Sequence, residues 1–151
     1  METKIRYDIF ITHAWRFHDE WTKFSELLDT MPGLAWRNFS LPWHDPAMSP
    51  NTEVGGRFIR SFLESQILPV HVVILLAGVY EIRSARRWVE MEVEMARRHH
   101  KPIVGIPAIN KDAVPDEVRA MCDAISGWED GTKLLATIGE VRALPKFATP
   151  P

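Results

Sequence analysis

The 151-residue sequence has a single cysteine, Cys122, no large surplus of charge of either sign, and no apolar run long enough to span a membrane. One cysteine excludes an internal disulfide framework and any zinc or iron–sulfur centre built on several thiolates, and it fits a reducing cytoplasm. Lysine plus arginine total 18 against 20 acids, a net charge of −2, so no general attraction to nucleic acid or anionic lipid is expected. Any anionic ligand needs a local site. The longest apolar run, Val72 to Val79, falls far short of the roughly 20 residues of a membrane helix. The opening METKIRYDIF has no apolar stretch of signal-peptide length, so the expectation is a soluble, cytoplasmic protein. Also missing are G-x-x-x-x-G-K-[ST] and G-x-G-x-x-G, the signatures of nucleoside triphosphate hydrolysis and of Rossmann dinucleotide binding.

What is present is enough for a core. At 46% hydrophobic and 25% charged residues, the chain reads as one compact domain over residues 1–151. Ile5, Tyr7, Ile9 and Ile11 alternate with Arg6, Asp8 and Phe10, which predicts a first strand over 5–11. From Asp19 the spacing Trp21, Phe24, Leu27, Leu28 is helical, and Met31-Pro32-Gly33 stops it. Trp36 to Leu41 reads as a second strand that runs into the proline-bracketed loop Pro42-Trp43-His44-Asp45-Pro46. Phe58, Ile59, Phe62, Leu63 and Ile67 mark a helix that ends before Pro69, and VHVVILLAG has the continuous apolar character of a central parallel strand. A helix follows, then a fourth strand over Pro102–Pro107. Pro115 opens another helix through Val118, Met121 and Cys122, with a short strand near Ala124 to Trp128 and a last helix on Leu134, Leu135, Ile138 and Val141.

Strand then helix, five times over, makes a parallel sheet with helices on both faces. The expected fold is α/β, a flavodoxin-like three-layer sandwich with a five-stranded parallel sheet of order 2-1-3-4-5. Ligands in such folds sit at the carboxyl ends of the strands, near the point where the order reverses. That directs attention to residues 12–19, 42–51 and 77–87.

The helix after the third strand contains RRWVEMEVEMARRHHK, with glutamates at every second position. Taking Ser84 as N-cap and stepping about 100° per residue from Trp88, the residues Val89, Val93, Ala96, Met91 and Met95 form one apolar arc centred near 40°. Glu90 and Glu94 fall near 200° and 240°, beside Arg97 and Arg98, on a solvated face. Glu92 falls near 40°, in the middle of the apolar arc. A carboxylate on a core-facing position costs several kcal/mol unless it is paired, hydrogen-bonded or open to a cleft. Glu92 is therefore either a structural glutamate tied to a backbone amide or an arginine, or a residue lining the cleft at the strand ends.

Tyr7-Asp8-Ile9-Phe10-Ile11-Thr12-His13-Ala14, Leu41-Pro42-Trp43-His44-Asp45-Pro46, Ser84 to Trp88-Val89-x-x-Glu92 and Lys101-Pro102-Ile103-Val104-Gly105-Ile106, in this order, resemble a TIR-like domain. The resemblance is closest to the small TIR-like proteins of bacterial Thoeris-type anti-phage systems, and it covers roughly residues 5–130. It implies an enzyme of the NAD+ nucleosidase or ADP-ribosyl cyclase type, which breaks the nicotinamide–ribose bond of NAD. In that family the essential glutamate lies on the helix after the third strand, four residues after a tryptophan in several members, which here is Glu92 after Trp88. NAD is then a substrate and no cofactor is required. The product, ADP-ribose, a cyclic isomer or a conjugate, would act as a messenger to a separate effector protein, and catalysis would depend on self-association.

Around the substrate the expected contacts are Thr12, His13, Ala14 and Trp15 after the first strand, Asp45 in the second loop, and Ser84 and Trp88 beside the glutamate. Trp15 could stack on a ring or pack under its loop; Asp45 could touch the ligand or close a turn before Pro46. Ser84 could hold a ribose or simply cap the helix. His13, His18, His44 and Asp45 lack metal-site spacing, so no metal is expected. His99 and His100, with Arg97, Arg98 and Lys101, read as a solvated helix end, and Cys122 as core. The third strand ends in Ala77-Gly78 where a receiver domain would want an aspartate, and no hydroxyl-rich phosphate loop of the flavodoxin kind follows the first strand. Two other functions remain open: a non-catalytic TIR interaction module, and a nucleoside deoxyribosyltransferase-like enzyme, which also sets a glutamate against an N-glycosidic bond.

Overall fold

The computed structural model describes residues 4–13, 19–40, 53–128 and 131–147, with only the backbone of residues 53–56. The elements are β1 (Ile5–Ile11), α1 (Asp19–Asp29), β2 (Leu34–Asn38), α2 (Glu53–Ile67), β3 (Val72–Leu76), α3 (Ala77–Glu81), α4 (Arg86–Arg98), β4 (Ile103–Ile106), α5 (Asp116–Met121), β5 (Ala124–Ile125) and α6 (Gly131–Arg142). Short 3-10 turns occupy Arg83–Ala85 and Pro145–Phe147.

All five strands run parallel in the order 2-1-3-4-5, as the alternation of strand and helix predicts. Ile9 stands beside Val72 and Ile11 beside Ile74, so β1 and β3 are neighbours at the point where the order reverses. A parallel connection is right-handed, so the step from β1 to β2 and the opposite steps from β2 through β5 put their helices on different faces. α2 and α4 pack against each other. On the other face α1 meets the segment that leads into α6, where the Phe24 and Trp128 rings form a T-shaped pair at 5.3 Å, and Met31, just past α1, lies against Gly131 at the start of α6. Every residue of β3 is buried, and Ile9, Phe10, Phe24, Ile74, Leu75 and Leu76 are among the largest side chains removed from solvent.

Three sequence expectations move. The second strand is Leu34–Asn38 rather than Trp36–Leu41. Gly33, at φ 80, turns the chain directly into Leu34, and its carbonyl accepts from Ile5 N at 2.8 Å. The strand then ends where the Asn38 carboxamide accepts from Ser40 N, a local bond that bends the backbone. The region 77–87, expected as a loop, is largely helical: α3 starts directly from the last residue of β3. Ser84 is not the N-cap of α4; Ala85 holds that place without a side-chain cap, and Ser84 is exposed within the preceding 3-10 turn. The loop Pro42–Pro46 lies outside the described residues.

Candidate active site

α4 runs back from the carboxyl edge of the sheet, burying Val89, Met91, Val93, Met95 and Ala96 and exposing Glu90 and Glu94. The helical spacing fixes this division, and it places Glu92 on the inner side, 1% exposed. His13, just past β1, is equally buried, and its Nδ1 lies 3.9 Å from Glu92 Oε1. That separation is longer than a hydrogen bond, so the imidazole and carboxylate lie side by side. The His13 ring also packs on Phe10 at a centroid distance of 5.3 Å, which fixes it from below. An acid and an imidazole are thus buried side by side at the level where β1 ends.

Thr12 is fully buried, and its Oγ1 accepts from Leu76 N at 3.1 Å while its own N–H donates to Ile74 O at 2.9 Å. It ties the end of β1 to the end of β3 and so holds His13 level with α4. Trp88 is half-buried against the core, one turn before Glu92. Ser84 stands exposed on the 3-10 turn that precedes α4. Ala14, Trp15 and Asp45 lie outside the described residues, as do His18 and His44.

Two features escaped the sequence reading. Glu20, in the first turn of α1, accepts from Ile109 N at 3.0 Å through Oε1, and its carboxylate lies so close over Gly78 that a Cβ there would collide with it. Its buried Oε2 has no hydrogen-bond partner among the described residues. A second carboxylate thus stands at the carboxyl edge, on the opposite face from Glu92. Its trace in the sequence is a glycine, Gly78, two residues after the most apolar strand. Asp8, midway along β1, is held by Arg37 through contacts of 2.6 and 2.7 Å, which keep its carboxyl below the usual range. Its backbone N–H donates to His71 Nδ1 at 2.8 Å, and burial holds that imidazole below its ordinary pKa.

Cys122 caps the end of α5, half-buried against Gly105. Burial, reinforced by Asp123, pushes its thiol up to about 12, so it is no thiolate at neutral pH. A broad hollow of about 1010 Å³ lies between α1 and the loops leaving β4 and β5, lined by Lys23, Glu26, Ile109, Lys111 and Trp128. It shares the carboxyl edge with Glu92 but not its face of the sheet. No helix among the described residues is long and apolar enough to cross a membrane.

A five-stranded parallel sheet of order 2-1-3-4-5 with helices packed on it is an α/β flavodoxin-like fold of the TIR-like kind. The model of the family described as Thoeris protein ThsB, TIR-like domain, matches residues 10–113, more than half of the chain. The chain belongs to this family. The matched span includes Thr12, His13, Ser84, Trp88 and Glu92 and stops before α5. No curated protein matches the sequence.

Proposed function

We propose that the protein cleaves the bond between nicotinamide and ribose in NAD, with Glu92 as the catalytic carboxylate. The observation that carries this reading is the burial of Glu92 beside His13 at the end of β1, in a chain of the ThsB TIR-like family. A carboxylate in a water-poor enclosure acts strongly on positive charge that develops near it. When the C–N bond breaks, its electron pair goes to the pyridinium nitrogen, so nicotinamide leaves neutral and no general acid is required. The positive charge passes to the ribose as an oxocarbenium-like centre, which Glu92 stabilises directly or by holding the sugar hydroxyls. Water adding to that carbon with loss of a proton yields ADP-ribose; an acceptor within the same molecule, or a second small molecule, yields a cyclic isomer or a conjugate.

His13 serves as a positioning residue, and Thr12 keeps it in register by tying β1 to β3. Ala14, Trp15, Asp45 and Trp88 complete the proposed NAD contacts. Ser84 joins them as a hydroxyl donor to ribose, since it does not cap α4. The chemistry needs neither metal nor cofactor. The product acts as a messenger to a separate effector in anti-phage defence in the cytoplasm, and self-association switches the activity on. The test is incubation of concentrated protein with NAD, with nicotinamide and the adenine-containing products separated by chromatography and weighed by mass spectrometry. Nicotinamide release with an ADP-ribose-derived product supports the reading; intact NAD at every protein concentration, with infected-cell lysate added as trigger, overturns it.

A further inference from the structure

Parallel strands bring their amino ends together with the carboxyl ends of the helices, and at that edge of the sheet cations predominate around two neighbouring hollows. A hollow of about 260 Å³ is lined by His71, His100, Lys101 and Arg142, with Phe147 among its apolar walls and no carboxylate among the described residues that line it. A neighbouring hollow shares His100, Lys101 and Phe147 and adds Arg97 and Lys146. Its one acid, Asp123, is occupied by Lys146 at 2.6 Å and by Ile103 N at 2.8 Å. The helix ends explain single cations in the last turns of α4 and α6, such as Arg97, Arg98 and Arg142. They do not explain why Arg142 shares one cavity with a half-buried lysine and two histidines, with Arg97 on the hollow beside it.

His100 adds a second observation. It follows α4 in the left-handed conformation, φ 56, with its N–H donating to Arg97 O and the next N–H, of Lys101, donating to Ala96 O. That is a helix stop where glycine is the usual residue. A histidine there keeps an unfavourable backbone and places its side chain on both hollows. His71 contributes a donor: its Nδ1 accepts from Asp8 N, so the proton of the neutral ring is on Nε2. Burial and the charges of Arg142, Lys101 and Arg37 keep that ring neutral, against the pull of Asp8, which Arg37 already binds.

We infer that this amino-edge hollow is a binding site for the phosphate group of a small phosphorylated ligand, held by Lys101, Arg142 and His100 with the His71 N–H as a further donor. Lysine and arginine together suit a phosphate, and the apolar wall at Phe147 suits a small organic body attached to it. The site lies at the other end of the strands from Glu92 and does not depend on the NAD reading.

The test is isothermal titration of the full chain with inorganic phosphate and with ribose 5-phosphate, for the parent, Lys101→Gln/Arg142→Gln, His100→Gly and Glu92→Gln. The parent and Glu92→Gln are expected to bind at least one probe, and the double variant to lose about tenfold or more in affinity. His100→Gly is expected to raise the unfolding temperature, by freeing the left-handed position, while weakening phosphate binding; a purely structural residue would not move the two in opposite directions. Tighter binding of ribose 5-phosphate than of inorganic phosphate places the organic body in the hollow, and equal binding leaves the phosphate group alone as the determinant; both support the site. No binding of either probe at millimolar concentration overturns it. So does binding that survives unchanged in the folded double variant or His100→Gly, or that is lost instead in Glu92→Gln.

Discussion

At the carboxyl edge of the sheet Glu92 and His13 are buried together, each 1% exposed, whereas at the amino half Asp8 has its carboxylate gripped by Arg37 at 2.6 and 2.7 Å. Both acids face an imidazole neighbour, and both sit in elements that build the core. The Asp8 arrangement is closed in the manner of a structural ion pair: two short charge-assisted bonds, a guanidinium in solvent and a histidine taking the backbone N–H. At Glu92 the imidazole contact is 3.9 Å, and the setting is the topological switch point, where this class of sheet binds ligands. One strand thus carries a carboxylate that serves the fold at its middle and ends in a histidine beside a carboxylate suited to chemistry.

The comparison can be broken most severely from beneath the carboxyl edge. Phe10 is fully buried and supports the His13 ring, so Phe10→Ala is expected to cost about 3–5 kcal/mol by denaturant unfolding. Next comes Gly105→Ala on β4, whose new methyl would stand 2.6 Å from Cys122 Sγ and 2.9 Å from Ile125 Cδ1. A loss of about 1–3 kcal/mol is expected, with Gly105→Ala/Cys122→Ala recovering part of it because the sulfur is the nearest obstacle. His13→Ala is expected to lower the rate of NAD cleavage about tenfold, equivalent to about 1.4 kcal/mol, with substrate affinity less affected. An unchanged rate would remove His13 from the positioning role.

The smallest effects are in pH dependence, and they sharpen the contrast at the amino half. His71 has its pKa lowered by burial, so the unfolded chain binds its proton more readily. Its stabilising contribution is therefore complete above its ordinary value of about 6.5 and is lost as pH falls from there through the lower folded value. Asp8, lowered by the Arg37 hydrogen bonds, contributes fully above its ordinary value of about 3.8 and loses that contribution as pH falls through its folded value below it. Denaturant midpoints measured from pH 8 downward should decline in these two windows. His71→Gln should flatten the first and Asp8→Asn the second; the same slopes in parent and variants would contradict the assignment.

Much of this was legible in the residues. Strand alternation over Ile5–Ile11, the continuous apolar run through Val72–Leu76 and the helical spacing after Asp19 are strong signals because burial on one face or two dictates them. The buried position of Glu92 followed from counting around a helix, which α4 obeys. The misses have local causes. Five residues of α3 are too few to show a period, and Ser84 offered a capping side chain that the 3-10 turn before α4 made unnecessary. The second strand slipped because Gly33 and the Asn38–Ser40 bond, not hydrophobicity, set its ends. Glu20 over Gly78, Asp8 with Arg37, and the cations around His100 join residues far apart in the chain, which no window of sequence reveals.

The most direct measurement is nicotinamide release from NAD by the parent protein and by Glu92→Gln, compared at equal concentration after thermal unfolding has shown both to be folded. The account predicts release by the parent and a loss of about 100-fold or more in the variant, the scale of removing one preorganised electrostatic group from a transition state. Equal release by both proteins would contradict the assignment of Glu92, and no release by either would leave the buried glutamate a structural residue of the fold.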